Sequence, residues 1–328
     1  MQYRHISEAA QEALQYIDDR RNGKQLPLYT NLKKLNKAID GFSWGRIYTL
    51  GGLSGSGKSL TLEQIKREII TSNPHEKFDI LSFEFEMLAI DQIARNISGK
   101  VNRPVKDIYS ANSNFLDDTT FKQIELLIQD FKIYPIYYVD DTGTVGEIAQ
   151  TMLQFLHERS PNKERGVVFT IDHLLLTKGK EGQSEKIVVD ALMHKCVELK
   201  KSLTSQGWKV MFILLSQLNR DIESQDRVAN PAFHYPNKND IFAASSVYYS
   251  SDVVIIFHKP AVIEGLGLFY GPARSGFPKG LPVFLEGERP MVYWHVIKSR
   301  FDVNQILTMV DDFSNSRILE YSPELGKM

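Results

Sequence analysis

Hydrophobic positions along this chain follow two alternating periods. Residues 6–22 carry Ile6, Ala10, Leu14 and Ile17 on one helical face, polar residues fill the other positions, and Gly23 ends the pattern; this predicts an amphipathic helix. Lys24 to Thr30, with Pro27, is predicted to be a linker. The stripe requires a cover, supplied either by its own domain or by a neighbouring subunit. From Leu32 onward, apolar strand-like runs alternate with helical patterns. Strands are predicted at Ile47–Leu50, Phe78–Glu86, Ile133–Val139 (ending in Asp140-Asp141), Val167–Asp172, Val210–Leu215 and Val253–His258. Helices are predicted after Lys58, at 88–97, 119–131 and Gly146–Arg159, and after an N-cap at Ser184, with Ile187, Ala191, Leu192, Leu199 and Leu203 facing inward. This alternation predicts an α/β fold with a mostly parallel sheet flanked by helices. The stretch from about Leu281 is richer in short strands and turns and predicts an antiparallel C-terminal extension.

Composition narrows the classes. The 328 residues fit one large domain with an appendage, here 1–29 as helix and linker and 30–328 as the main domain. The formal net charge is −1, so any nucleic-acid contact must come from a local patch or a lined channel. The single cysteine, Cys196, excludes an internal disulfide and a cysteine-rich zinc site, and its helical context predicts a buried small hydrophobe. No apolar run is long enough to span a bilayer and no signal-peptide pattern opens the chain, so a cytoplasmic location without a membrane partner is expected.

The most specific chemistry lies at Gly52-Leu53-Ser54-Gly55-Ser56-Gly57-Lys58-Ser59, which fits the P-loop pattern G-x-x-x-x-G-K-[ST] between a predicted strand and a predicted helix. Glycines let successive backbone N–H groups face a phosphate, and the helix N-terminus adds partial positive charge. Gly52, Ser54, Gly55, Ser56, Gly57, Lys58, Ser59 and Leu60 are therefore the candidate nucleotide-binding residues. Lys58 is expected to reach the β- and γ-phosphates and Ser59 to ligate Mg²⁺. The fold is accordingly expected to be a P-loop NTPase.

Four further positions follow from this. Asp172 ends an apolar strand that should reach the carboxyl edge of the sheet beside the P-loop, which suits a second Mg²⁺ ligand. Glu84 and Glu86, two apart after the P-loop helix, are alternatives for the group that activates water. Gln217, at the end of the next strand, either senses a γ-phosphate or bonds nearby backbone; a long polar loop with Arg220, Arg227 and Lys238 follows, from Leu218 to about Ala244. Lys298 and Arg300 share one strand face and form either an exposed edge or an arginine finger offered to a neighbour.

Together these residues resemble the ATPase domain of the DnaB family of hexameric replicative helicases, lacking its N-terminal domain, over about Thr30 to Tyr321. Thr30-Asn31-Leu32-Lys33-Lys34-Leu35-Asn36 is similar to the family's entry segment. Phe85-Glu86-Met87 with Asp91-Gln92-Ile93 and Arg95 is similar to its Leu-Glu-Met segment, which favours Glu86 as the catalytic glutamate; a shift of two would favour Glu84. Ile171-Asp172-His173-Leu174 stands for its Walker B strand, Ser216-Gln217-Leu218-Asn219-Arg220 is the most specific match, and Lys298-Ser299-Arg300 is similar to its Lys-x-Arg finger. Asp240 to Asp252 resembles the segment with the second DNA loop, though Phe242, Ala243 and Ser245 stand where the family has charged and glycine residues. Residues 260–290 look like an insertion.

The resemblance implies a RecA-like fold and an ATP- and Mg²⁺-dependent helicase: a homo-oligomeric, hexameric ring around single-stranded DNA, with primase or a loader as further partners. Glu86 and Gln217 on one protomer would act with Lys298 and Arg300 from the next, and the 6–22 helix would dock on the adjacent protomer. Lys178, Lys180 and the segment Arg220 to Ser246 would line the channel. The alternatives are a RecA-like DNA-binding ATPase that does not unwind and an assembly factor for which catalysis is incidental.

Overall fold

A computed structural model describes residues 3–112, 116–285, 289–300 and 303–322. The chain runs α1 (Ile6–Arg21), α2 (Lys33–Ile39), β1 (Ile47–Gly52), α3 (Lys58–Ser72), β2 (Phe78–Glu84), α4 (Ala89–Val101), α5 (Val105–Ile108), α6 (Asp118–Phe131), β3 (Ile136–Val139), α7 (Val145–Arg159), β4 (Gly166–Asp172) and α8 (Glu185–Ser205). It continues through β5 (Val210–Gln217), α9 (Gln225–Ala229), α10 (Ala244–Ser250), β6 (Val253–His258), β7 (Phe269–Tyr270), β8 (Leu281–Pro282), β9 (Met291–Ser299), β10 (Gln305–Asp312) and β11 (Arg317–Glu320).

Nine strands form one sheet in the order β11-β10-β9-β6-β1-β5-β4-β2-β3. The six from β6 to β3 are parallel, and β9, β10 and β11 add on antiparallel. The fold is thus a RecA-like α/β arrangement with the expected antiparallel extension. Strands β1, β2, β4 and β6 are buried at every position, as strands covered on both faces must be. On one face Phe83, Phe169 and Leu214 pack with Met152 and Leu156 of α7 and Leu192 and Met193 of α8. On the other, Ile80, Val168 and Ile213 pack with Leu62, Ile65 and Ile69 of α3 and Leu35 of α2. Cys196 is buried within α8, where burial pushes its thiol up to about 12.

Four expectations are corrected. On α8 Leu192, Leu199 and Leu203 face inward as expected, joined by Val188, Val189, Met193 and Cys196, whereas Ile187 and Ala191 are exposed, because the helix packs between α7 and α10. Strand β3 begins at Ile136, and Ile133 stands in solvent in the turn after α6. The antiparallel extension starts at Met291, because Leu281 belongs to the separate β7–β8 ribbon. That ribbon is anchored on β9 through Tyr270, Leu281, Met291 and Tyr293; residues 286–288 of the expected insertion lie outside the described residues. The long polar loop expected from Leu218 to about Ala244 instead carries the short helix α9 and is folded onto the body: Ile222 and Ile241 are fully buried, and Arg227 is bonded to the Asp240 carboxylate and the Tyr235 carbonyl.

Helix α1 presents the expected stripe but buries none of it. Ile6 is 77%, Leu14 67% and Ile17 61% exposed. Of the two covers the sequence allows, its own domain does not provide one among the described residues. No helix among those residues is long and apolar enough to cross a membrane.

Candidate nucleotide site

The site forms where β1, β2, β4 and β5 end together. Parallel strands in register put Gly52 opposite Gln217 and Glu84 opposite Asp172, so residues far apart in sequence meet at one carboxyl edge. The P-loop leaves β1 and enters α3 through Gly55 and Gly57, both at positive φ (76° and 86°), a conformation that side chains with a Cβ avoid. A Cβ on Gly57 would also stand 2.3 Å from the Phe313 ring, and one on Gly52 2.3 Å from the Ser56 hydroxyl. Glycine at both positions keeps the loop closed on itself.

Lys58 lies along this loop. Its Nζ donates to the carbonyls of Gly52 at 2.8 Å and Leu53 at 2.9 Å. Burial lowers its pKa to about 8, against the opposing pull of Asp172 and Glu86. Asp172 is buried at the end of β4, and burial pushes its carboxyl up to about 7, with the Ser59 hydroxyl bonded to it and lowering it. Its Oδ1 has no hydrogen-bond partner, and neither do the hydroxyls of Ser56 and Thr61. A buried carboxylate oxygen with no donor beside a serine hydroxyl suits a divalent cation better than a closed hydrogen-bond network. The residues present therefore fit Mg²⁺ held by Ser59 and Asp172.

A cavity of about 470 Å³ opens over the loop, lined by Ser54, Gly55, Gly57, Lys58, Ser59, Leu60, Glu86 and Arg95, together with Phe313, Ser314 and Ser316. A second cavity joins Ser54, Lys58 and Glu86 to His173 and Gln217. The two acids of β2 separate here. Glu84 is buried and bonded to Lys66, Ser82 and Gln92, whereas Glu86 lies just beyond the strand, exposed to both cavities. Gln217 lies at the rim, and its backbone carbonyl accepts from Phe242 N–H at 2.9 Å, tying β5 to the start of α10.

Lys298 and Arg300 are not part of this cluster. Lys298, near the end of β9, pairs with Val254, and Arg300, just past that strand, lies beside Asp252 at the start of β6, the sheet edge away from the P-loop. Lys298 donates to the carbonyls of Tyr248 and Tyr249, and burial followed by Arg300 lowers its pKa. Arg300 pairs with Asp252 at 3.3 Å and remains half exposed. Lys178 and Lys180 are exposed after β4. Among the described residues no group of three or more His, Cys, Asp or Glu side chains is placed to hold a metal.

Sequence reasoning did not single out Lys66, Glu63 and Gln92 for a role, nor Phe313 against Gly57. A lysine and two glutamates among the apolar positions of α3 and β2 were the available signal for the first group; for Phe313 there was none.

Comparison with known proteins places the chain in a family. The family described as DnaB-like helicase C terminal domain matches residues 27–266, a span that includes the P-loop, Glu86, Asp172 and Gln217 but ends before Lys298 and Arg300. None of the curated proteins matches the chain. Among solved structures, one described as an ATPase domain shares 15% identity at a TM-score of 0.75, covering 98% of this chain and 100% of its own. A DnaB-like replicative helicase, solved for its interactions with primase, shares 14% identity at a TM-score of 0.72, covering 98% of this chain and 68% of its own. At such identities the structures speak to the fold alone, and the family match carries the assignment. On that match, over a RecA-like sheet with a P-loop at its carboxyl edge, the chain belongs to the DnaB-like helicase C-terminal domain family.

Proposed function

We propose that this protein is an ATP-dependent DNA helicase motor that hydrolyses ATP between subunits of a homo-oligomeric, hexameric ring and moves along single-stranded DNA. The observation that carries the reading is the separation of the two half-sites. Lys58, Ser59, Asp172 and Glu86 gather at one sheet edge, while Lys298 and Arg300 lie at the other. About five strand residues at ~3.3 Å each set the two edges ~17 Å apart, so those cations suit the nucleotide of an adjoining copy. In such a ring the P-loop amides and Lys58 bind the phosphates, and Ser59 and Asp172 hold Mg²⁺, which offsets the charge of the phosphate oxygens. Glu86 orients water and takes its proton, and Arg300 with Lys298 faces the γ-phosphate from the next subunit. Gln217, joined through Phe242 to the start of α10, links the phosphate edge to the segment expected to face DNA, and the exposed Lys178 and Lys180 add cations for the DNA backbone. The exposed stripe of α1 fits a neighbouring protomer.

A forked DNA substrate tests the reading. Strand displacement that requires ATP and Mg²⁺ supports a helicase. ATP turnover stimulated by single-stranded DNA without displacement would instead support a RecA-like DNA-binding ATPase. No turnover under any condition would point to an assembly factor. Primase or a loader is a proposed partner on the strength of the family alone.

A further inference from the structure

We propose that Glu84 is a positioning residue for Glu86, acting as a buried clamp anchored on the P-loop helix through Lys66 and closed by Gln92. The inference rests on the hydrolytic role proposed for Glu86. Strand β2 ends at Glu84, and the chain then makes an excursion through Glu86 before α4 begins at Ala89. One carboxylate joins both ends of that excursion. Glu84 Oε1 accepts from Lys66 Nζ at 2.9 Å and from the Ser82 hydroxyl at 2.5 Å, and its Oε2 accepts from the Gln92 carboxamide at 2.9 Å. The Lys66 contact fixes the strand end to α3, whose N-terminus is the P-loop; the Ser82 contact holds the carboxylate against its own strand, and the Gln92 contact fixes the first turns of α4. The Phe85 N–H, bonded to the Asp172 carbonyl at 2.6 Å, pins the start of the excursion to the metal strand.

The surroundings suit an anchor. Lys66 and Gln92 are fully buried, and Glu63, Glu84 and Asn96 nearly so. Lys66 also pairs with Glu63, which accepts from Asn96, and Asn96 in turn accepts from Arg67 at 2.7 Å. Two cations, two carboxyl groups and the amides of Asn96 and Gln92 thus form one buried network between α3, β2 and α4. Such a network resists rearrangement, because moving one member leaves another charged and unpartnered in a dry interior. It also explains why the second acid of β2 is present although it does not face the cavity. Holding the excursion fixes where the Glu86 carboxylate stands relative to water and phosphate, and displacement by about 1 Å costs on the order of 100-fold in rate.

The test uses Gln92→Met, which keeps the side-chain volume and leaves the Lys66–Glu84 pair intact while opening the clamp at α4. Single-turnover ATP hydrolysis by the assembled protein on single-stranded DNA is expected to slow by roughly 10- to 100-fold. Affinity for an ATP analogue and the oligomer size should stay at wild-type values. Gln92→Glu is the second variant. Its carboxylate faces that of Glu84 with no donor between them, so repulsion opens the clamp and its single-turnover rate should fall at least as far as that of Gln92→Met. Wild-type single-turnover rates for Gln92→Met, or loss of analogue binding in step with loss of rate, would overturn the positioning role. A wild-type protein that hydrolyses no ATP would overturn the hydrolase reading and this proposal with it; an active wild type matched by Gln92→Met overturns this proposal alone.

Discussion

The Lys58 ammonium folds back onto the loop that carries it and donates to the Gly52 carbonyl at 2.8 Å. The cation is held where phosphate oxygens are expected, by contacts those oxygens can replace. Lys58→Ala removes a charged hydrogen bond worth about 1.5–3 kcal/mol, so ATP affinity should fall roughly 10- to 100-fold, measured by calorimetry. Burial lowers Lys58 to about 8 from its ordinary 10.5, so at higher pH the free site loses its charge while the unfolded chain keeps it. Affinity should therefore weaken by about tenfold per pH unit above pH 8. The stability of the nucleotide-free protein should rise over the same interval, because there the unfolded state binds more protons.

Asp172 gives the opposite sign. Its carboxyl is raised to about 7 from 3.8, so between those values the folded state holds the proton and the unfolded state does not. Its contribution to nucleotide-free stability falls as pH rises from about 4 to about 7, and the penalty is complete above that. Asp172→Asn should accordingly stabilise the nucleotide-free protein at pH 8, by on the order of 2–4 kcal/mol, and should do so much less at pH 4. The same variant should lose Mg²⁺-dependent turnover. Thermal melts at the two pH values, with and without Mg²⁺-ATP, check both statements.

Much of this site was legible in the sequence because it depends on strand ends. A run such as Val167–Asp172 fixes where its aspartate emerges, and parallel register then brings Gly52, Glu84, Asp172 and Gln217 to one edge. What escaped the sequence depends on lateral packing. Ile187 is as apolar as Val188, and only the placement of α7 and α10 decides which of them faces inward. Glu84 and Glu86 have the same spacing to either reading, and the difference came from Lys66, one turn beyond Leu62, reaching Glu84 but not Glu86. The segment after Leu218 is rich in polar residues, yet those residues pair with one another, as Arg227 does with Asp240.

The stripe of α1 makes a prediction about assembly. Covering Leu14 or Ile17 contributes about 1.5–3 kcal/mol per side chain, and placing a carboxylate there reverses the sign. Leu14→Glu should leave the melting temperature of the isolated subunit unchanged, because the residue is 67% exposed. In sedimentation it should shift the protein from the ring towards smaller species, with turnover falling in parallel.

The shared site is tested most directly by mixing two inactive proteins. Glu86→Gln removes the group that takes the proton from water, and Arg300→Ala removes the cation offered to the neighbour. Each alone should hydrolyse ATP at least about 100-fold more slowly than wild type. Co-assembled in equal amounts, roughly a quarter of head-to-tail interfaces pair an intact Glu86 with an intact Arg300. ATP turnover of the mixture on single-stranded DNA should therefore rise well above either protein alone. A mixture no more active than its components, in rings shown to contain both, would contradict a site completed by the adjoining subunit.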